Sequence, residues 1–140
     1  MKIFCTNAFT GEDVDVVTKR MKLVIDQLNK VGHQAYCPIF DPHKIELQSK
    51  GDVKEIFNYA FKNLLECDAM VAIITSGRKS EGQLMEAGAA LAAGKPLFVF
   101  IHKSAKDKPT HLKTLAGGVY YWSDNEELIG SLSELGAPSN

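Results

Sequence analysis

A single glutamate stands where packing alone does not account for a carboxylate. Glu86 falls in the stretch Ser80-Glu81-Gly82-Gln83-Leu84-Met85-Glu86-Ala87-Gly88-Ala89-Ala90-Leu91-Ala92-Ala93-Gly94-Lys95-Pro96, which reads as a helix from Glu81 to Ala93 ending at Gly94. Residues three, four and seven positions on share its helical face, and here they are Ala89, Ala90 and Ala93. The carboxylate therefore has no intrahelical cation and nothing large beside it. That suits a group facing a cleft, where partial desolvation tunes its pKa and a ligand supplies the missing bulk. A solvated helix glutamate, with alanines serving close helix–sheet packing, has the same spacing, and spacing alone leaves both readings open.

The elements that would hold Glu86 alternate between strand and helix. Lys2 to Cys5 is a short apolar strand, followed by a polar turn from Thr6 to Asp13. Val14, Val17, Met21, Val24 and Leu28 recur at spacings of three and four, which makes one helix face. Gly32 stands where a C-cap glycine belongs, and His33 to Cys37 is a second strand stopped by Pro38. From Ile39 to Gly51 no periodicity holds, and Asp41-Pro42-His43 reads as part of a long loop, a feature often functional in compact domains. Asp52 can cap a helix bearing Ile56, Tyr59, Asn63, Leu64 and Cys67. Ala69 to Thr75 is continuously apolar, as in a central strand buried on both faces. Ser76 to Ser80 breaks it before the Glu86 helix. Pro96 to Ile101 is a fourth strand, His102 to His111 a lysine-rich loop, Val119 to Trp122 a fifth strand, and Asn125 to Leu135 a last helix with a Gly-Ala-Pro-Ser-Asn tail.

This alternation implies right-handed crossovers and one α/β domain over residues 1–140: a doubly wound, five-stranded parallel sheet with helices on both faces. Ligands in such sheets bind outside the carboxyl ends of the strands. The turn after the first strand, the segment after the second and the Thr75 to Ser80 turn are therefore the candidate binding segments.

Composition narrows the function classes. A formal charge of -1 gives no electrostatic reason to expect nucleic acid or an acidic membrane as partner. No apolar run reaches the roughly 18 residues of a membrane span, and Met1-Lys2-Ile3-Phe4 opens directly into a strand, so a cytoplasmic protein is expected. Cys5, Cys37 and Cys67 are an odd set without metal-ligand spacing, and the four histidines show no pairing, so neither a protein-bound metal nor a cofactor is expected. The basic run Lys103 to Lys108 reads as a solvated loop. Arg78 and Lys79 fall near the mouth of the expected cleft. In Tyr120-Tyr121-Trp122 an alternating strand would point Tyr121 away from both neighbours into core packing, rather than form a base-stacking platform.

The glutamate segment resembles the nucleoside 2-deoxyribosyltransferase superfamily, which includes deoxynucleoside 5'-monophosphate N-glycosidases. Its pattern, a glutamate followed by Gly-x-Ala-x-Ala-x-Gly-Lys-Pro and a strand, appears here as Glu86, Gly88, Ala90, Ala92, Gly94, Lys95 and Pro96. Ile3-Phe4-Cys5, Gly32 to Pro38, Leu64 to Ala69 and Tyr120 to Trp122 extend it over most of the chain. The resemblance implies cleavage or transfer at the N-glycosidic bond of a nucleoside or nucleotide, with Glu86 as nucleophile and a covalent glycosyl-enzyme intermediate. It also implies Glu81 as a second catalytic carboxylate candidate, and Asn7, Phe9, Asp41, Ser76, Gly77, Ser80 and Gly82 around the substrate. A homodimer or larger homo-oligomer follows from the same resemblance.

Several family positions differ. The usual aspartate before the central strand falls at Ala60, the one six residues before the nucleophile at Ser80, and the first-strand tyrosine at Ile3. Glu81, Asp41 and His43 each remain candidates for the acid. The arginine that the nucleotide hydrolases carry in the first loop falls at Phe9, although Thr6, Asn7, Thr10 and Gly11 can still donate hydrogen bonds. Ser80-x5-Glu86 after a central strand also resembles Toll/interleukin-receptor domains that cleave NAD. A nucleotide-binding module that kept the fold and lost catalysis is the non-enzymatic alternative.

Overall fold

The computed structural model describes residues 1–108 and 110–135. Strands β1 (Lys2–Asn7), β2 (Gln34–Tyr36), β3 (Ala69–Ile74), β4 (Leu97–His102) and β5 (Gly118–Trp122) form one sheet in the order β2-β1-β3-β4-β5. Every pairing is parallel. The doubly wound architecture read from the sequence is therefore the fold, with the most apolar strand at its centre.

Alternation along each strand divides the core in two. Ile3, Cys5, Val71, Ile73, Phe100 and Trp122 face helices α1 (Val14–Lys30) and α6 (Asn125–Leu132). Phe4, Met70, Ala72 and Val99 face the opposite layer, where α3 (Val53–Glu66) contributes Leu64 and α4 (Glu81–Ala92) contributes Ala87 and Ala90. The late aromatics obey the same rule. Tyr120 stacks on Phe100 at 4.6 Å and the Trp122 indole donates to the Phe100 carbonyl, whereas Tyr121 turns to the other cluster. All three cysteines are buried thiols.

Several boundaries differ from the sequence reading, each for a local reason. β1 runs to Asn7, so Thr6 and Asn7 are strand residues rather than turn. Pairing with β3 continues to Asn7 opposite Ile73, and both polar side chains find partners inside the protein. The edge strand β2 is shorter than His33 to Cys37. Val14 opens α1 but lies too far out to reach the sheet and is exposed. The last helix stops at Leu132, although Leu135 is still buried beyond it. Lys103–Ala105 in the lysine-rich segment forms a 3-10 turn, and Leu112–Leu115 forms a short helix, α5, that the sequence reading did not anticipate. The Gly-Ala-Pro-Ser-Asn tail lies outside the described residues.

The main correction concerns residues 39–51, which are helical rather than loop. A 3-10 turn at Pro38–Phe40 leads into α2 (Pro42–Lys50), closed by Gly51 in the left-handed conformation at φ 72°. Only Leu47 of α2 is buried, so the helix casts no apolar periodicity. It is held by its ends and by Asp41. One Asp41 oxygen accepts from the His43 backbone N–H at 3.0 Å, and the other accepts from the hydroxyls of Tyr36 on β2 and Tyr59 on α3, both at 2.6 Å. Burial works to raise the Asp41 carboxyl. The two tyrosines and the His43 and Lys44 N–H groups outweigh it and hold the pKa below the usual 3.8.

Replacing Asp41 by alanine removes the cap and strands two hydroxyls, at a cost of about 2–3 kcal/mol. A depressed carboxylate stabilises above its unfolded pKa and loses that contribution as pH falls. Urea titrations should thus show the Asp41→Ala deficit at pH 7 shrinking steadily below pH 4. An unchanging deficit would mean that the carboxylate charge is irrelevant.

Candidate active site

β1 and β3 are neighbours in the sheet, yet β1 leads into α1 on one face and β3 into α4 on the other. The diverging connections open a crevice at the carboxyl ends of the two strands, the place where this architecture binds ligands. A cleft of about 410 Å³ lies there. Cys5, Thr6 and Asn7 from the end of β1 form its floor, and Ala8, Phe9 and Thr10 one wall. Lys44 and Gln48 of α2 and Val53, Ile56, Phe57 and Ala60 of α3 form the opposite wall. Ser80, Gly82, Gln83 and Glu86 close it from α4.

The position of α4 is set by its first turn. Ser80 caps the helix by accepting from the Gln83 N–H at 3.3 Å. The Gln83 side chain is only 7% exposed, and its amide donates to the Thr6 hydroxyl at 3.1 Å and to the Ile73 carbonyl at 3.2 Å. One amide thereby joins α4 to the ends of both β1 and β3. Glu86 follows one turn later on the same face and looks into the cleft. Across the floor, Asn7 accepts from the buried Arg20 guanidinium at 2.9 Å, and the Thr75 hydroxyl donates to Glu12, tying the first loop to the end of β3.

Glu86 is half-buried, and no group among the described residues hydrogen-bonds or ion-pairs with it. Burial pushes its carboxyl from 4.5 up to about 7, with the Lys44 ammonium pulling weakly in the other direction. The carboxylate is thus half ionised at neutral pH, suited to act as a nucleophile or a base. Cys37 beside it is no rival. Burial, offset in part by the Ile39 backbone N–H and by Lys44 and slightly reinforced by the Glu86 charge, pushes that thiol up to about 12. A neutral thiol is a poor nucleophile.

Of the residues singled out from the sequence, the cleft brings together Glu86, Asn7, Phe9, Ser80 and Gly82. Ser76 and Gly77 lie instead in a smaller cavity of about 40 Å³ behind Ser80, together with Arg78 and Lys79. Glu81 is exposed in the first turn of α4 and lines neither space. Asp41 is committed to Tyr36, Tyr59 and the start of α2, and His43 packs edge-on against Tyr59 at 4.6 Å. Ala60, at a family aspartate position, lines the cleft, whereas Ile3 lies in the core. Ala90 packs into the core under α4, which is the role the alternative reading gave the alanines, while Glu86 itself faces the cleft.

Several cleft residues had not been singled out, Gln83 and Lys44 among them. Gln83 was within reach of the same helical counting, three residues before Glu86. Lys44 was not, because the helix that aims it had been read as loop.

The family model for nucleoside 2-deoxyribosyltransferases matches residues 4–131 of the chain. Comparison with curated proteins gives no match. Among solved structures, a CMP N-glycosidase of Clostridium botulinum superposes with a TM-score of 0.65 at 18% identity, covering 94% of this chain and 97% of its own. A 2-deoxyribosyltransferase of Bacillus psychrosaccharolyticus gives 0.60 at 17% identity, with 94% and 96% covered. One from Leishmania mexicana gives 0.64 at 15%, with 96% and 98% covered. These structures share the fold. No helix among the described residues is long and apolar enough to cross a membrane.

The raised Glu86 carboxyl makes a prediction about stability. A carboxyl whose pKa is higher folded than unfolded stabilises the protein below its unfolded value, and that contribution is lost as pH rises through about 7. Glu86→Gln should therefore match the wild type at pH 4 and exceed it by up to roughly 3 kcal/mol at pH 8.5. Denaturant melts at the two pH values measure this; equal stability at both would place Glu86 in full solvent.

Proposed function

Because the chain belongs to the nucleoside 2-deoxyribosyltransferase family, we propose that it cleaves or transfers at the N-glycosidic bond of a nucleoside or nucleotide, with Glu86 as the nucleophile. The observation that carries this reading is an unpaired, partly desolvated carboxylate facing a cleft at the crevice of the sheet.

The ionised Glu86 attacks the anomeric carbon. The bond from that carbon to the base nitrogen breaks, and the base departs with the electron pair. The resulting glycosyl ester is then opened at the same carbon by water or by a second base, which frees the carboxylate. Splitting one displacement into two is the advantage of the covalent route. Thr6, Asn7, Thr10 and Ser80 offer hydrogen-bonding groups to the sugar, and the apolar wall of Val53, Ile56 and Phe57, facing Phe9, suits the flat faces of a base. Among the described residues no second carboxyl lines the cleft, so the Lys44 ammonium and water are what can protonate the leaving base. This favours substrates whose base departs readily. The same observation keeps the binding-only reading in play, and turnover separates the two. A homodimer or larger assembly also belongs to this reading, and sedimentation tests it.

Incubation with nucleosides, nucleoside 5'-monophosphates and NAD, followed by chromatography for free base, should show base release from a nucleoside or nucleotide. Its kcat/KM should climb with pH through about 7 and then level off, as the free nucleophile ionises. Glu86→Gln should lower turnover by roughly a thousandfold or more. Wild-type rates in that variant would refute the mechanism, and release of nicotinamide alone would point to NAD instead.

A further inference from the structure

Among the described residues, Lys44 is the one charged side chain on the wall of the cleft that suits a base. It stands there with Val53, Ile56 and Phe57, on α2 where that helix packs against α3. Ala60, on the same wall, puts a methyl group at the family aspartate position. The three acids considered from the sequence do not fill that gap. Glu81 lines no part of the cleft, His43 packs edge-on against Tyr59 outside it, and four hydrogen-bond donors hold Asp41 ionised. The Cys5 and Cys37 thiols are buried and hold their protons tightly. Apart from Glu86, the other polar groups of the lining are hydroxyls and amides.

We infer that Lys44 is the general acid of the reaction, its ammonium protonating the base as the glycosidic bond breaks. This rests on the glycosidic reading and adds a catalytic residue to it. In an in-line displacement the nucleophile and the leaving group stand on opposite sides of the anomeric carbon. The acid must therefore share the cleft with the nucleophile without being paired to it. Lys44 meets both conditions. No ion pair joins it to Glu86, yet the Glu86 carboxyl and the Cys37 thiol both feel its charge. Nor does another carboxylate hold it, since the ion pairs among the described residues are Lys50–Glu46 and Lys103–Glu127. Asp41 fixes the backbone from which it projects, accepting from the Lys44 N–H as well as from Tyr36 and Tyr59. Protons and electrons balance over the two steps. As Glu86 bonds to the anomeric carbon, the base leaves with the electron pair of the broken bond and one ammonium proton, and Lys44 is left as an amine. Water, or the incoming base, then opens the glycosyl ester and gives its proton to that amine. Ammonium and carboxylate are restored together.

The test compares bases that need a proton on departure with twins that need it less or not at all. Initial rates of base release are measured on nucleosides and their 5'-monophosphates. Each purine is paired with its 7-methyl form, whose base is cationic before cleavage, and uracil and cytosine with their 5-fluoro forms, which depart more readily. On the ordinary bases Lys44→Met should lower kcat by roughly a hundredfold or more, with KM changed little. The loss should be smaller on every activated twin, and no more than about tenfold on the 7-methyl purines. Lys44→Arg should fall as far as Lys44→Met, because a guanidinium keeps the charge but does not give up its proton. A residue that only shaped the wall would lose rate equally on both members of a pair, and one that only supplied charge would be rescued by arginine. Either result overturns the inference. Base release by the unaltered protein is scored separately. Release with an unselective loss in Lys44→Met sinks Lys44 alone, whereas no release from any substrate sinks the glycosidic reaction and the acid with it.

Discussion

The site depends on how α4 is held against the sheet. A helix that follows a parallel strand can slide or rotate by a fraction of a turn at little cost if only alanines face the core, because small side chains interlock weakly. Here Ala87 and Ala90 make the apolar contact, and the Gln83 amide supplies the register. Its two acceptors belong to different strands, so both bonds are satisfied in only one placement of the helix. A buried amide left without partners costs more than the bonds themselves contribute, which penalises every other placement. The direction in which Glu86 points follows from this.

Given that direction, the electrostatics of Glu86 follow from a contest between two effects. Desolvation disfavours the charged form, and the Lys44 ammonium favours it. Desolvation wins, because among the described residues no hydrogen bond or ion pair reaches the carboxylate and the family aspartate position lining the same cleft holds the methyl group of Ala60. Asp41 shows the opposite balance a short distance away. It is also partly desolvated, but four hydrogen-bond donors hold it ionised. Two carboxylates thus take opposite roles: one holds the wall in place, and the other, more deeply desolvated, is left without a partner in the cleft at a cost in stability. Loss of stability at a functional group is the usual exchange.

The legible parts of this structure were those in which local pattern and tertiary role coincide. Ala69 to Thr75 read as a central strand because burial on both faces leaves an unbroken apolar run. Val17, Met21, Val24 and Leu28 read as a helix because they meet the sheet at helical spacing. Glu86 stood out because its neighbours were too small to shield it. Thr6 and Asn7 were misread because their polarity is answered by Gln83 and Arg20, partners distant in sequence that no local pattern reveals. Asp41 was placed at the substrate by the family resemblance and by a segment that read as loop, and its partners in the structure, Tyr36 and Tyr59, come together only in the fold. Helix α2 was missed for a related reason. With Leu47 alone buried, its only signals were Asp41-Pro42 at the start and Gly51 at the end, and these read as turn chemistry when no periodic segment lies between them.

That economy in α2 has an evolutionary side. A wall that draws its placement from one carboxylate, one leucine and one glycine leaves its remaining positions free of any duty to the hydrophobic core. Lys44 and Gln48 are among them. Exchanging either residue alters the lining of the cleft while the hydrophobic core, the sheet and helix α4 go untouched. The make-up of this wall is therefore a separable trait: it can drift along α2 through viable intermediates, without the loss of stability that a change of the buried Gln83 would impose.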